Sequence, residues 1–154
     1  MADHLAIYTR LLKALNECNY DEWESLLTDD YVEEYPQSGE VVRGSKNARA
    51  VLENYPDGGL PKDGLDVSSA RVAATEARWV KTPTFTFVRV EGTGNMGTAA
   101  FKVRYPNGSV WWVVVLYELR GDKVAKSTAF YAPVFEAPEW RKPWVERREA
   151  SAKP

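Results

Sequence analysis

The sequence predicts one α+β domain: helices first, then a strongly curved, mostly antiparallel sheet that packs against three N-terminal helices and encloses a pocket. Three observations predict it. Apolar residues recur at helical spacing through the first third, the period drops to two after residue 64, and turn residues separate the later apolar runs. Helices in one block and a meander in the next place the helices on one side of the sheet. A sheet curved around them forms a cone whose mouth is a natural pocket.

Each element has its own signal. From Asp3 to Cys18 one apolar row runs through Leu5, Tyr8, Leu12 and Leu15, and a parallel row through Ile7, Leu11 and Ala14. A second, short helix begins near Asp21, where Asp21 and Glu24 have the spacing of a capping box. It buries Trp23, Leu26 and Leu27 and ends at Asp29-Asp30. Tyr31 to Tyr35 then reads as a short strand stopped by Pro36. Ser45 suits the N-cap of a third helix running to Tyr55, with Ala48, Val51, Leu52 and Tyr55 on one face. Pro56 to Gly64 is rich in Gly and Pro and reads as a loop.

Five strands follow: Leu65 to Thr75, Arg78 to Glu91, Thr98 to Tyr105, Val110 to Leu119 and Lys123 to Tyr131. Gly92 to Gly97, Asn107-Gly108 and Gly121-Asp122 separate the last four, and Asn-Gly between apolar strands is a strong hairpin signal. Val113 to Leu116 is apolar on both faces, which predicts a central strand covered on both sides. From Pro133 onward prolines alternate with Trp140 and Trp144, a tail expected to fold back on the domain. The domain is taken as residues 1–149, with 150–154 a frayed end.

Composition narrows the chemistry. A formal charge of −2, with both signs interspersed, provides no field for a phosphate backbone, so no nucleic-acid partner is expected. No apolar run reaches the roughly 18 residues of a membrane helix, and the N-terminus lacks a signal-peptide core. Cys18 is the sole cysteine, so no intrachain disulfide forms and a cytoplasmic location is expected. His4 is the sole histidine, which removes His- and Cys-rich zinc sites within one chain. It is read as a fraying terminal residue, although it shares a helical stripe with Tyr8, Leu11 and Leu15. With six Trp, eight Tyr and five Phe, either a large aromatic core or an aromatic-lined cavity fits.

The segment ALNECNYDEWESLLTDDYVEEYPQSGEVVRGSKNARAVLENYP resembles the opening of SnoaL-like proteins of the nuclear transport factor 2 superfamily. KVAKSTAFYAPVFEAPEWRKPWVE resembles the close of the same group, so the resemblance spans roughly residues 5–146. It implies the cone fold and a small-molecule pocket. It says little about the reaction, because this fold hosts isomerases, cyclases, dehydratases, epoxide hydrolases and plain binders.

In the ketosteroid isomerases of that superfamily, a carboxylate base precedes a Pro, and a Tyr and a protonated Asp hold the oxyanion. By the resemblance those positions fall on Tyr35, Leu11 and Val115, so all three groups are missing. The match also implies a pocket map that strand alternation extends. Trp111, Val113, Val115 and Tyr117 face inward, as do Ser127, Ala129 and Tyr131; Trp112, Val114 and Leu116 face outward. Glu33 and Tyr35 face inward on the first strand and are the candidate catalytic pair. A carboxyl in an aromatic cone suits acid–base work, and the Tyr35 phenol suits donation. Tyr8, Trp23 and Tyr55 are wall residues from the helices. Gln37 either orients a ligand at the mouth or belongs to a turn closed by Ser38-Gly39, with Glu40 and Arg43 paired across it.

These readings predict a cofactor-free protein with no metal that binds a small apolar or aromatic molecule. It is either an isomerase, cyclase, dehydratase or hydrolase, or a non-catalytic binder or scaffold. A homodimer through the outer face of Trp112, Val114 and Leu116 is expected, since an exposed apolar sheet face needs cover.

Overall fold

The computed structural model describes residues 2–56, 62, 65–74, 78–81, 87–90 and 94–147. The chain runs α1 (His4–Asn16), α2 (Tyr20–Ser25), β1 (Leu27–Tyr35), β2 (Glu40–Arg43), α3 (Ser45–Glu53), β3 (Leu65–Ala74), β4 (Arg78–Lys81), β5 (Phe87–Val90), β6 (Met96–Arg104), β7 (Val110–Arg120) and β8 (Lys123–Pro133). A 3₁₀ helix at Glu139–Trp144 follows. Six strands form an open sheet in the order β2-β1-β8-β7-β6-β3, and β4 pairs with β5 separately. Only β1–β8 is parallel within the six-stranded sheet. The architecture is therefore the expected α+β arrangement.

The helix junctions differ from expectation. Cys18 adopts φ 55°, and the amides of Cys18 and Asn19 bond Leu15 and Ala14 carbonyls at 3.1 and 2.8 Å. This is a Schellman-type ending, with a non-glycine residue in the left-handed position. Asn19 then serves at once as the cap of α2, its side chain accepting from the Glu22 amide at 3.2 Å. The Asp21–Glu24 capping box is thus not formed. Leu26 caps α2 and Leu27 opens β1, so Asp29-Asp30 lie within a strand that starts four residues earlier than expected.

The third helix starts at Ser45, but its cap is Gly44, not Ser45. Gly44 has φ 86°, a conformation that favours glycine, and its amide bonds the Tyr31 carbonyl at 2.7 Å. Ser45 instead donates its hydroxyl to Glu24 at 3.3 Å, tying α3 to α2.

Arg78 to Glu91 is not one strand. β4 and β5 pair antiparallel in the register Arg78↔Val90 to Lys81↔Phe87. The sequence carries Pro83 between them, a residue without the N–H that a continuous strand would need. PQSGEVVRG, read as a turn, yields the strand β2 hairpinned onto β1, with Tyr35↔Glu40 and Val32↔Arg43 opposed.

β7 is central, between β8 and β6, as its double apolar face predicts. Its inner residues Val113, Val115 and Tyr117 are buried, whereas Leu116 on the outer face is 45% exposed. Cover on both sides is therefore not supplied by a single copy. The tail also departs from expectation. Trp140 and Trp144 are 71% and 79% exposed, and no residue of their 3₁₀ helix is buried. Pro138 is extended ahead of this 3₁₀ helix and Pro143 lies within it. The frayed end predicted at 150–154 lies outside the described residues.

Candidate functional site

Alternation along β1 puts Tyr31, Glu33 and Tyr35 on one face, and that face looks into the cone. Glu33 lies opposite Ser127 on the parallel neighbour β8, and Tyr117 and Val113 on β7 lie opposite Ser127 and Tyr131. The helices close the other side with Tyr8, Leu11 and Trp23. The enclosed chamber has a volume of about 110 Å³.

Glu33 is the single charged residue among the described walls of this chamber, ringed by the phenols of Tyr8, Tyr31, Tyr35 and Tyr131. Burial is the main cause that lifts its pKa above the ordinary 4.5. Hydrogen bonds from Tyr35 and Tyr31 partly offset the rise by stabilising the carboxylate. Glu33 keeps some accessible surface, and it faces the cavity that it lines. Burial also pushes up the four tyrosines, followed in each by the negative charge of Glu33. They stay protonated and able to donate at any physiological pH. Ser127, beside Tyr31, acts the other way and partly offsets the rise there.

Trp23 is buried in the wall, and its indole N–H has no partner among the described residues. A buried donor left unpaired costs roughly 1–3 kcal/mol, a cost borne inside the wall, since the indole nitrogen is closed off from the chamber.

A second space of about 480 Å³ adjoins the chamber and shares Tyr35, Val51, Leu52, Tyr105 and Tyr131 with it. Tyr55, Trp111, Gln37, Ser38 and Glu40 complete its described walls. Tyr55 stacks on Tyr105 at 5.7 Å, and Tyr105 meets Trp111 edge-on at 6.1 Å. Burial, then the neighbouring Tyr55, pushes the Tyr105 pKa up to about 12.

Of the residues chosen from sequence, Glu33, Tyr35, Tyr8, Leu11, Trp23, Val113, Val115, Ser127 and Tyr131 line the inner chamber. Tyr55, Trp111 and Gln37 line the outer space. Gln37 is held there by backbone bonds, not free to orient a ligand. Its amide donates to the Tyr131 carbonyl and accepts from the Tyr131 amide, both at 2.6 Å, which prolongs the β1–β8 ladder past Pro36. In the same turn the Ser38 hydroxyl bonds the Glu40 carboxylate.

Tyr117 and Ala129 are buried yet line neither space. Tyr117 is taken up elsewhere: it stacks on Tyr8 at 4.4 Å and sits over Gly97, where a Cβ would come within 2.4 Å of its ring. Its hydroxyl meets His4 Nδ1 at 3.1 Å, and His4 Nε2 meets the Gly94 carbonyl at 3.2 Å. A carbonyl can only accept, so in the neutral imidazole Nε2 carries the proton and Nδ1 accepts from Tyr117. His4 is therefore a buried core residue rather than a fraying one.

Sequence reasoning missed Tyr31, Phe101, Val103, Leu65 and Tyr105 as wall residues. Tyr31 was within reach, since it precedes Glu33 by two on the same strand. Phe101 and Val103 follow from the β6–β7 register, Phe101↔Val113 and Val103↔Trp111, which a single sequence does not display. Among the described residues no group of three or more His, Cys, Asp or Glu is placed to hold a metal ion.

The description of the SnoaL-like domain family matches residues 8–127. No curated protein matches the sequence significantly. Among solved structures, an NTF-2 like protein of unknown function from Burkholderia xenovorans LB400 is 26% identical, with 94% of each chain covered and a TM-score of 0.67. The Delta 5-3-ketosteroid isomerase from Mycobacterium sp. is 17% identical, covering 88% of this chain and 100% of that one at a TM-score of 0.55. An LEH-like epoxide hydrolase from M. tuberculosis is 14% identical, covering 83% and 81% at 0.54. At such identities the last two likenesses establish the fold alone.

Proposed function

The chain belongs to the SnoaL-like domain family, and from that premise we propose that its inner chamber performs acid–base chemistry on a small, largely apolar molecule without a bound cofactor. The observation that carries this reading is Glu33, a carboxyl of raised pKa lining a chamber and ringed by four protonated tyrosines. A base is most effective when its pKa approaches the working pH, and burial moves Glu33 in that direction.

The three isomerase positions hold Tyr35, Leu11 and Val115, so the polar groups have been redistributed rather than kept. The reaction class that fits is proton transfer beside a carbonyl. Ionised Glu33 takes a proton from the α-carbon, and the freed electron pair moves onto the carbonyl oxygen as an enolate. As protonation discharges Glu33, the Tyr31 and Tyr35 hydroxyls that bonded its carboxylate are released to donate to that oxygen, each bond strengthening as negative charge develops. Glu33 then returns its proton to carbon or to oxygen, which completes an isomerisation or prepares a ring closure.

The chamber volume sets the size of the reacting end. A cavity of about 150 Å³ admits benzene, so about 110 Å³ accommodates one small ring or a short chain. The test is deuterium exchange at the α-carbon of small cyclic ketones in D₂O, followed by NMR. The native protein should accelerate exchange, Glu33→Gln should abolish the acceleration, and Tyr35→Phe should reduce it about 10-fold or more, as losing one donor does elsewhere. Binding without accelerated exchange would leave the alternative, a non-catalytic binder with the same pocket.

A further inference from the structure

Most of any ligand larger than one ring must occupy the outer space, and the walls there have a particular character. Tyr35, Tyr55, Tyr105, Trp111 and Tyr131 supply five aromatic side chains, and Glu40 is the one charged residue among the described walls. Behind them the chamber contributes Glu33. Among the described residues no Lys, Arg or His lines either space.

Both features select by charge in the same sense. The face of an aromatic ring carries negative potential and attracts a cation, and two carboxyl groups add to it whenever they are ionised. An anion entering here would lose hydration and meet no compensating positive group. A neutral apolar group would gain burial but nothing from the ring faces or Glu40. The rings are also held in place. The Trp111 indole donates to Ser109 Oγ at 3.0 Å, and Ser109 Oγ bonds Asn107 Oδ1 at 2.6 Å. The Trp111 edge is thereby occupied, and its plane lies at 90° to Tyr105. Tyr35 and Tyr131 face each other obliquely at 6.0 Å.

The geometry points to a ligand carrying an organic cation, a trialkyl- or tetraalkylammonium group, seated among Tyr35, Tyr105, Trp111 and Tyr131 with Glu40 at the rim. Its apolar end enters the chamber at Glu33. This names the substrate class for the acid–base site and rests on that reading only for which end reacts.

Calorimetric titration with three probes of similar shape tests it: benzyltrimethylammonium, its neutral carbon isostere neopentylbenzene, and the anion phenylacetate. The cation should bind about tenfold more tightly than the isostere, the scale of a desolvated cation–ring contact, and phenylacetate should bind most weakly. Trp111→Leu retains apolar surface but removes the ring face, and should shrink the cation preference to about threefold or less. Glu40→Gln, at the exposed start of β2, should weaken the cation several-fold and leave the isostere unchanged. Equal binding of the isostere or of phenylacetate overturns the inference, as does a cation preference that survives both substitutions. These are equilibrium measurements without turnover, so the two readings fail separately. Proton exchange at Glu33 with no cation preference sinks the cage alone. A cation preference without exchange sinks the acid–base reading alone.

Discussion

Glu33 shows how far one residue's setting can depart from its sequence neighbourhood. Glu34 beside it points outward, pairing with Lys126 at 3.1 Å and Thr128 at 3.3 Å. Glu33, on the other face of the pleat, lines the chamber, and desolvation there raises its pKa. The consequence for stability has a definite sign. Below the unfolded-state pKa, Glu33 is protonated in both states and burial exacts no ionic cost. As pH rises through the folded pKa, the unfolded chain has already ionised, and stability is lost. Glu33→Gln should therefore raise the melting temperature at pH 7.5, by an amount worth about 1 kcal/mol, and should flatten the fall in stability as pH rises above 4.5. Thermal melts across that range check it, and a variant less stable at pH 7.5 would contradict it. Gly97 offers a steric counterpart: Gly97→Ala drives a methyl into the Tyr117 ring and should cost about 1–3 kcal/mol in chemical denaturation. His4 marks the limit of sequence reading at this scale. Its partners Tyr117 and Gly94 lie 113 and 90 residues away, and no local pattern announces them.

Among the elements, periodicity identified the three helices and most strands because burial imposes their spacing. With Val115 put inward by the family resemblance, the alternation of Val110 to Leu119 also put Val113 on the chamber wall. Junctions were less legible. Asp21 and Glu24 have capping-box spacing, yet Asn19 takes the role because the preceding left-handed Cys18 delivers it to the start of α2. Ser45 is a good cap by type, yet the positive φ of Gly44 decides the helix start. In each case a bond to a neighbouring element outweighed a local preference. Gln37 is the sharpest instance, since its two bonds to Tyr131 replace a strand pairing that Pro36 cannot supply. Gln37→Ala should cost about 1–2 kcal/mol and speed hydrogen exchange at the Tyr131 amide, with little change at Ser127. Unchanged protection at Tyr131 would show that the two bonds carry no weight in solution.

The whole molecule combines an occupied inner face with an uncovered outer one. Leu116 and Phe130 are 45% and 40% exposed beside Trp112 and Val114, on a sheet whose other side holds the core. The expected homodimer through Trp112, Val114 and Leu116 predicts a dimer by sedimentation at tens of micromolar, and Leu116→Lys should shift it towards monomer. A native protein that sediments as a monomer would remove that assembly. The cone itself was the most legible feature, because the shift from helical to alternating period dictates which side of the sheet the helices cover. What the cone contains depends on registers between strands far apart in sequence, so Phe101, Val103 and Tyr105 emerged only from the structure. Acid–base chemistry in the cone requires that the carboxyl at its centre be withdrawn from water. The direct measurement is a ¹³C NMR titration of the Glu33 side-chain carboxyl, assigned by its loss in Glu33→Gln. A midpoint clearly above 4.5, accompanied by shifts of the surrounding tyrosine rings, is the predicted result. A midpoint at or below 4.5 would mean a solvated, ionised Glu33, and acid–base chemistry in this chamber would have to be abandoned.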